Sequence, residues 1–128
     1  MTEELVTLET AKLLRKKGFN KYCKDIIRED NGRMMQSVFR TNKDLPKGAY
    51  SRPTQSIAAK WLREIKGMHV EISYMYGGYW TYDILTIPGH DLVGLSDRPI
   101  IHYKSYEEAL EAGIFEVLKL IWLWQKYL

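Results

Sequence analysis

The sequence predicts an α+β fold: a small antiparallel three-stranded sheet, formed by a hairpin plus an edge strand, packed against helices and completed by a long C-terminal helix. Three observations carry this. Apolar residues recur at helical spacing over 54–66 and again over 105–126. Over 69–87 the period drops to two on either side of Gly77-Gly78, the pattern of a hairpin with half-buried strands. Pro99-Ile100-Ile101-His102-Tyr103 then supplies a short apolar run led by proline, which suits an edge strand because proline removes a ladder donor.

The 128 residues form one expected domain, in which 7–28 is a helical N-terminal part, 30–53 an irregular segment and 54–128 a helix-hairpin-strand-helix unit. Thr7 is placed to cap a first helix, with Glu9 in its first turn, Lys16 and Lys17 in its last, Gly18 beyond the end and Phe19 folded back against it. A second helical stretch is expected from Lys21 to Arg28 with Tyr22, Ile26 and Ile27 as its apolar side. Asn31-Gly32, Pro46, Gly48 and Pro53 punctuate the segment that follows, where a strand or one helical turn fits Arg33 to Thr41. In the helix from Thr54 to Lys66, Ile57, Trp61 and Ile65 define the core stripe, with Trp61 as its anchor, and Gly67 ends it. A two-residue turn at Gly77-Gly78 would set Tyr74 opposite Thr81 and Val70 opposite Leu85, and would leave Asp83 opposite Ile72 on the apolar face. Ser105-Tyr106-Glu107-Glu108 is a capping box, and Ala109, Leu110, Ala112, Ile114, Val117, Leu118 and Ile121 give the last helix its inner stripe, with Gly113 marking close approach to the sheet.

Composition narrows the classes of function. At 45% apolar and 27% charged the chain is ordinary for a globular protein, and disordered or fibrous classes are disfavoured. The single cysteine, Cys23, permits no internal disulfide and no cysteine-rich zinc module; it reads as a buried, inert thiol. No apolar run reaches the length of a membrane span and no leader pattern opens the chain, so no membrane role and a cytoplasmic location are expected. The net charge of +3 conceals an asymmetry: residues 12–66 hold 15 of the 19 Lys and Arg against 5 acids, whereas the rest of the chain is net acidic.

Catalytic and metal-binding patterns are sparse. His69-Val70-Glu71 has the H-x-E spacing of zinc deaminases, but no Cys-x-x-Cys follows it. His90-Asp91 in a loop could form an acid–base pair, although an exposed turn is the plainer reading. No phosphate-binding loop, dinucleotide fingerprint or nucleophile elbow is present. The expectation is therefore a protein that is not an enzyme and takes no cofactor and no metal.

Two binding classes follow from the residues. In the first, the aromatic side chains of the hairpin, Tyr74, Tyr76, Trp80 and Tyr82, and of the C-terminal tail, Trp122 and Trp124, contact a protein partner, with homodimerisation through the C-terminal helix as one form of it. In the alternative, the basic stretch 12–66 binds RNA or DNA, with Arg15, Lys16, Lys17, Lys21 and Lys24 on phosphate.

A resemblance adds an origin. Glu9-Thr10-Ala11-Lys12-Leu13-Leu14 with Lys17-Gly18-Phe19, then Pro53-Thr54-Gln55-Ser56-Ile57-Ala58-Ala59-Lys60-Trp61-Leu62-Arg63-Glu64, then Ser105-Tyr106-Glu107-Glu108-Ala109-Leu110-Glu111-Ala112-Gly113, resembles a group of small uncharacterised proteins carried by bacteriophages and prophages. It touches both ends and the middle of the chain, while 30–50 and 76–100 show no shared motif. The resemblance implies a phage-type accessory protein; it carries no activity and no site residues with it.

Overall fold

A computed structural model of the chain describes residues 3–36, 40–93 and 101–126, with side chains as far as Ile121. Helix α1 (Leu8–Lys16) starts where expected: the Thr7 hydroxyl accepts from the Thr10 amide at 3.3 Å. It ends in a Schellman motif, in which Gly18 at φ 100° lets the Phe19 amide donate back to the Leu14 carbonyl at 2.8 Å. Phe19 is thereby buried and meets Trp61 edge-on, with ring centroids 5.4 Å apart.

The helix expected at 21–28 is not formed. Instead β1 (Asp25–Arg28) is the middle strand of an antiparallel sheet in the order β2-β1-β3, with β2 at Met34–Gln36 and β3 at Ala49–Ser51. Ile26 and Ile27 explain the difference. An extended backbone sends adjacent residues to opposite faces, so Ile26 packs on Leu45 and Ala49 while Ile27 enters the main core. Asn31-Gly32 is the turn between β1 and β2: Asn31 Oδ1 accepts from the Arg33 amide at 2.8 Å, and Gly32 takes φ 65°. The α+β class holds, but its three-stranded sheet is built from this N-terminal half, and the later hairpin is a second unit beside it.

Two side chains order the stretch read as irregular. Asn42, in a 3-10 turn (Asn42–Asp44), donates to the Phe19 carbonyl at 2.8 Å and accepts from the Ser51 amide at 2.9 Å, tying the end of α1 to β3 from a buried position. Arg15 reaches from α1 to the carbonyls of Leu45, Pro46 and Ala49 and lies over the Tyr50 ring at 5.5 Å.

Helix α2 (Gln55–Trp61) is capped by Thr54 and runs into a π-helical turn (Leu62–Lys66) stopped by Gly67 at φ 65°. Its buried face is Gln55, Ala58, Ala59, Trp61 and Leu62, whereas Ile57 and Ile65 are 44% and 59% exposed. The expected stripe is thus rotated about Trp61. The polar Gln55 is buried because its amide has partners on the last helix, a contact that periodicity of apolar residues does not register.

Strands β4 (Met68–Met75) and β5 (Tyr79–Thr86) pair in a register one residue away from the expected one. The loop is Tyr76-Gly77-Gly78, so Val70 faces Ile84, Ile72 faces Tyr82 and Tyr74 faces Trp80. Asp83 now stands opposite Glu71 on the outer face and not opposite Ile72. A two-residue turn would have placed Thr81, Asp83 and Leu85 against the core; the observed slip places Tyr82 and Ile84 there, with Trp80 on the same face but beyond the core, and burial of the apolar face decides between them. Of the edge strand expected at 99–103, residues 99 and 100 lie outside the described ones; Tyr103 makes a single antiparallel bridge to Trp80, with bonds of 2.9 and 3.0 Å.

The last helix, α3 (Tyr106–Lys126), lies across the hairpin with Ala109, Leu110, Ile114, Val117, Leu118 and Ile121 buried as expected. Ser105 caps it by accepting from the Glu108 amide at 3.1 Å, but the Glu108 carboxylate returns to the Lys104 amide and not to that of Ser105. Gly113 faces the hairpin so closely that a Cβ there would stand 2.4 Å from Val70 Cγ1 and 3.2 Å from the Tyr82 ring. Alanine normally stabilises a helix interior over glycine by about 1 kcal/mol. Here the sign should reverse: Gly113→Ala should lower stability in urea unfolding by about 1–3 kcal/mol, the usual cost of overpacking, with partial recovery in Val70→Ala/Gly113→Ala. A more stable Gly113→Ala protein would show that the helix can move away at no cost.

Candidate functional site

Two features meet at the N-terminal end of α3. The first is a strip of rings. Tyr74 is 64% exposed and packs on Trp80 with centroids 4.8 Å apart; Trp80 in turn meets Tyr106 of α3 nearly at right angles at 5.7 Å. Tyr76, at the hairpin tip, is fully exposed, and Met75 beside it is exposed as well. Solvent-facing aromatics in contact with one another offer large, stiff area for a partner. On the opposite face of the hairpin Tyr79 stacks flat on His102 at 3.6 Å.

The structure divides the sequence-derived candidates. Tyr74 and Trp80 come together on this strip, and Tyr76 stands exposed at the hairpin tip without a ring contact among the described residues. Tyr82 does not belong to it: it is 6% exposed and lies in the core against Gly113, because the register turns it inward. Trp122 and Trp124 fall within α3, but their side chains lie outside the described residues. Tyr106, which joins the strip to the rest of the site, was read in the sequence only as part of a helix cap; its position follows from α3 crossing the hairpin, and no local signal announces it.

The second feature is an open cleft of about 1240 Å³ between the chain leading into α1, helix α2, β4 and the start of α3. Its walls include Val70, Leu110, Ala112 and Phe115, and its rim carries Glu3, Glu4, Glu9, Glu107, Glu108 and Glu111. Glu111 organises the region. One carboxylate oxygen accepts from the Thr7 amide and hydroxyl, both at 3.1 Å, and from the Thr10 hydroxyl; the other accepts from the Gln55 amide at 3.1 Å. Gln55 also donates to the Glu107 carbonyl at 2.9 Å. Glu3 is held by Ser56, and Glu108 by the Lys104 amide. Among the described residues Glu4, Glu9 and Glu107 have neither an ion pair nor a side-chain hydrogen bond, so their charge faces solvent at the rim.

The basic candidates lie elsewhere and are not one set. Arg15 is committed to three backbone carbonyls. Lys16, Lys21 and Lys24 are exposed. Lys17 is half-buried, and burial, with Lys16 and Lys66 nearby, holds its ammonium below the usual lysine range.

His69 Nε2 meets Glu71 at 2.8 Å across one strand face, and the His90 and Asp91 amides donate to the Thr86 carbonyl and hydroxyl, closing a turn in which His90 takes φ 61°. Among the described residues no three His, Cys, Asp or Glu side chains are grouped so as to hold a metal ion. No described helix is long and apolar enough to cross a membrane. No protein-family model, curated protein or solved structure matches the chain.

Two measurements check this description. Replacing Glu111 by Ala leaves the Thr10 hydroxyl, the Thr7 amide and the Gln55 amide without their acceptor, and should cost about 2–3 kcal/mol in urea unfolding; a loss below about 0.5 kcal/mol, the range of an ordinary surface change, would remove its organising role. Burial, with Asp25 adding to it, pushes the Cys23 thiol up to about 11. The thiol should therefore stay protonated and inert to Ellman's reagent in the native protein at pH 8, reacting only after denaturation, whereas rapid native labelling would contradict its placement.

Proposed function

We propose that the chain is a phage- or prophage-type accessory protein that acts in the cytoplasm as a non-catalytic protein-interaction module, with the ring strip of Tyr74, Tyr76, Trp80 and Tyr106 as its contact face. The observation that supports this reading is the contact of Tyr74, Trp80 and Tyr106 in series, with Tyr76 fully exposed at the hairpin tip beside them in sequence, whereas Tyr82 of the same hairpin is used by the core. Rings needed only for folding would be turned inward like Tyr82; Tyr76 contributes nothing to the interior. The origin follows the resemblance of the 9–19, 53–64 and 105–113 segments, and the location is the one expected from the sequence patterning.

The competing nucleic-acid reading keeps Lys16, exposed in the last turn of α1, and Lys21 and Lys24, exposed beyond its end. One experiment separates the two. Tagged wild-type protein, the Tyr74→Ala/Tyr76→Ala variant and the Lys21→Ala/Lys24→Ala variant are used to capture partners from phage-infected cell extract treated with nuclease, and the same three are titrated with labelled RNA and DNA at two salt concentrations. The tyrosine variant should weaken a captured protein by about thirtyfold, the size of one interface hot spot, while the lysine variant retains it. Equal capture by all three, or salt-sensitive nucleic-acid binding abolished in the lysine variant, would overturn the proposal.

A further inference from the structure

Resting on the reading of this end of the molecule as a protein-contact face, we infer that the cleft beside the ring strip receives an extended, basic segment of the partner, with Lys or Arg side chains at the glutamate rim and aliphatic ones on the apolar wall. The chemistry of the cleft sets the occupant. Its volume of about 1240 Å³ exceeds the roughly 300–1,000 Å³ of ordinary small-molecule sites, and it is open to solvent, which fits a stretch of chain. Its wall is apolar at Val70, Leu110, Ala112 and Phe115, so a purely polar cation would leave that surface wet.

Charge decides the sign of the partner. Glu4, Glu9 and Glu107 stand without an ion pair on the rim among the described residues, and the six glutamates of the lining outnumber its two arginines, Arg52, which donates to the Val6 carbonyl, and Arg63, so the cleft is acidic on balance. An acidic segment or a phosphate backbone would meet like charge here; a basic one would replace solvent around carboxylates that the fold does not use. Shape favours an extended conformation. Val70 and His69 of β4 form part of the lining, and β4 has no strand neighbour other than β5 among the described residues, leaving its outer backbone edge available to a strand added in line. Tyr106 lines the cleft and touches Trp80, so one chain can run from the carboxylate rim onto the rings, where Lys or Arg over Tyr or Trp gains further attraction.

The test uses the full chain and defined probes: fluorescein-labelled peptides of about eight residues, within the usual range of strand lengths, alternating Lys with Leu, Glu with Leu, or Lys with Ser. Anisotropy titrations are run at low and near-physiological salt. The Lys-Leu peptide should bind, weaken as salt rises, and lose about tenfold in affinity on Glu4→Lys/Glu107→Lys. The Lys-Ser peptide should bind about tenfold less tightly than the Lys-Leu peptide because it leaves the wall uncovered. Circular dichroism confirms folding, and Glu4→Gln/Glu107→Gln, which removes the charge without reversing it, should show the same direction if the Lys pair destabilises α3.

Equal binding of the Glu-Leu peptide, or affinity indifferent to both glutamate pairs, would overturn the inference. If that happens while Tyr74→Ala/Tyr76→Ala still abolishes capture of a protein partner, the contact-face reading survives and only its basic occupant is wrong. If the Lys-Leu peptide behaves as stated and the tyrosine variant captures normally, the cleft stands and the ring strip falls.

Discussion

The carboxylate of Glu111 is the constraint from which the rest of the arrangement follows. It accepts from Thr7 and Thr10 at the start of α1 and from Gln55 at the start of α2, and it stands one helical turn into α3. Charge-assisted hydrogen bonds of this kind are about twice as strong as neutral ones and are directional, so a single side chain brings three helix beginnings to one place. That convergence creates the cleft, since three N-terminal ends meeting around one carboxylate leave space between them. It also concentrates acid there, because first turns favour Glu: Glu9 in α1, and Glu107 and Glu108 in α3.

The hairpin contributes the second half of the site by the same logic of packing first. Gly113 lets α3 approach Val70 and Tyr82, and that approach holds β5 with Tyr82 and Ile84 inward. Because α3 crosses the hairpin, its first residue, Tyr106, comes to rest against Trp80. Among the described residues the tip beyond that crossing meets no other element, and Tyr76 and much of Tyr74 are left in solvent. Core demands thus determine which tyrosines become surface.

Charge behaves differently in the fold than in the chain. The basic stretch is partly consumed as scaffold: Arg15 satisfies carbonyls of the segment around Pro46, Arg52 satisfies Val6, and Lys12 pairs with Glu29. Glu29 also accepts from Tyr50, and those two hydrogen bonds hold its carboxyl below the usual range. Hydrogen bonds to carbonyls leave Arg15 and Arg52 charged, and only Lys12 is offset by an anion; the local field at the cleft is negative because six glutamates there outnumber Arg52 and Arg63, although the net charge of the chain is positive.

Local features were legible in the residues themselves. The Thr7, Thr54 and Ser105 caps, the Gly18-Phe19 helix end, the inner stripe of α3 and the role of Trp61 depend on neighbours within a turn or two, where spacing and side-chain chemistry suffice. Everything decided by distant contacts went otherwise. Ile26-Ile27 became a strand because two separate clusters, far apart in sequence, wait on its two faces. The hairpin slipped by one residue because the sheet face that α3 covers outweighs the preference of a Gly-Gly turn. Gln55 displaced Ile57 and Ile65 from the interior because its partner is Glu111, more than fifty positions away. Spacing along a chain encodes which residues can share a face; which face is buried, and therefore what remains for a partner, is set only when the elements compete for the same core.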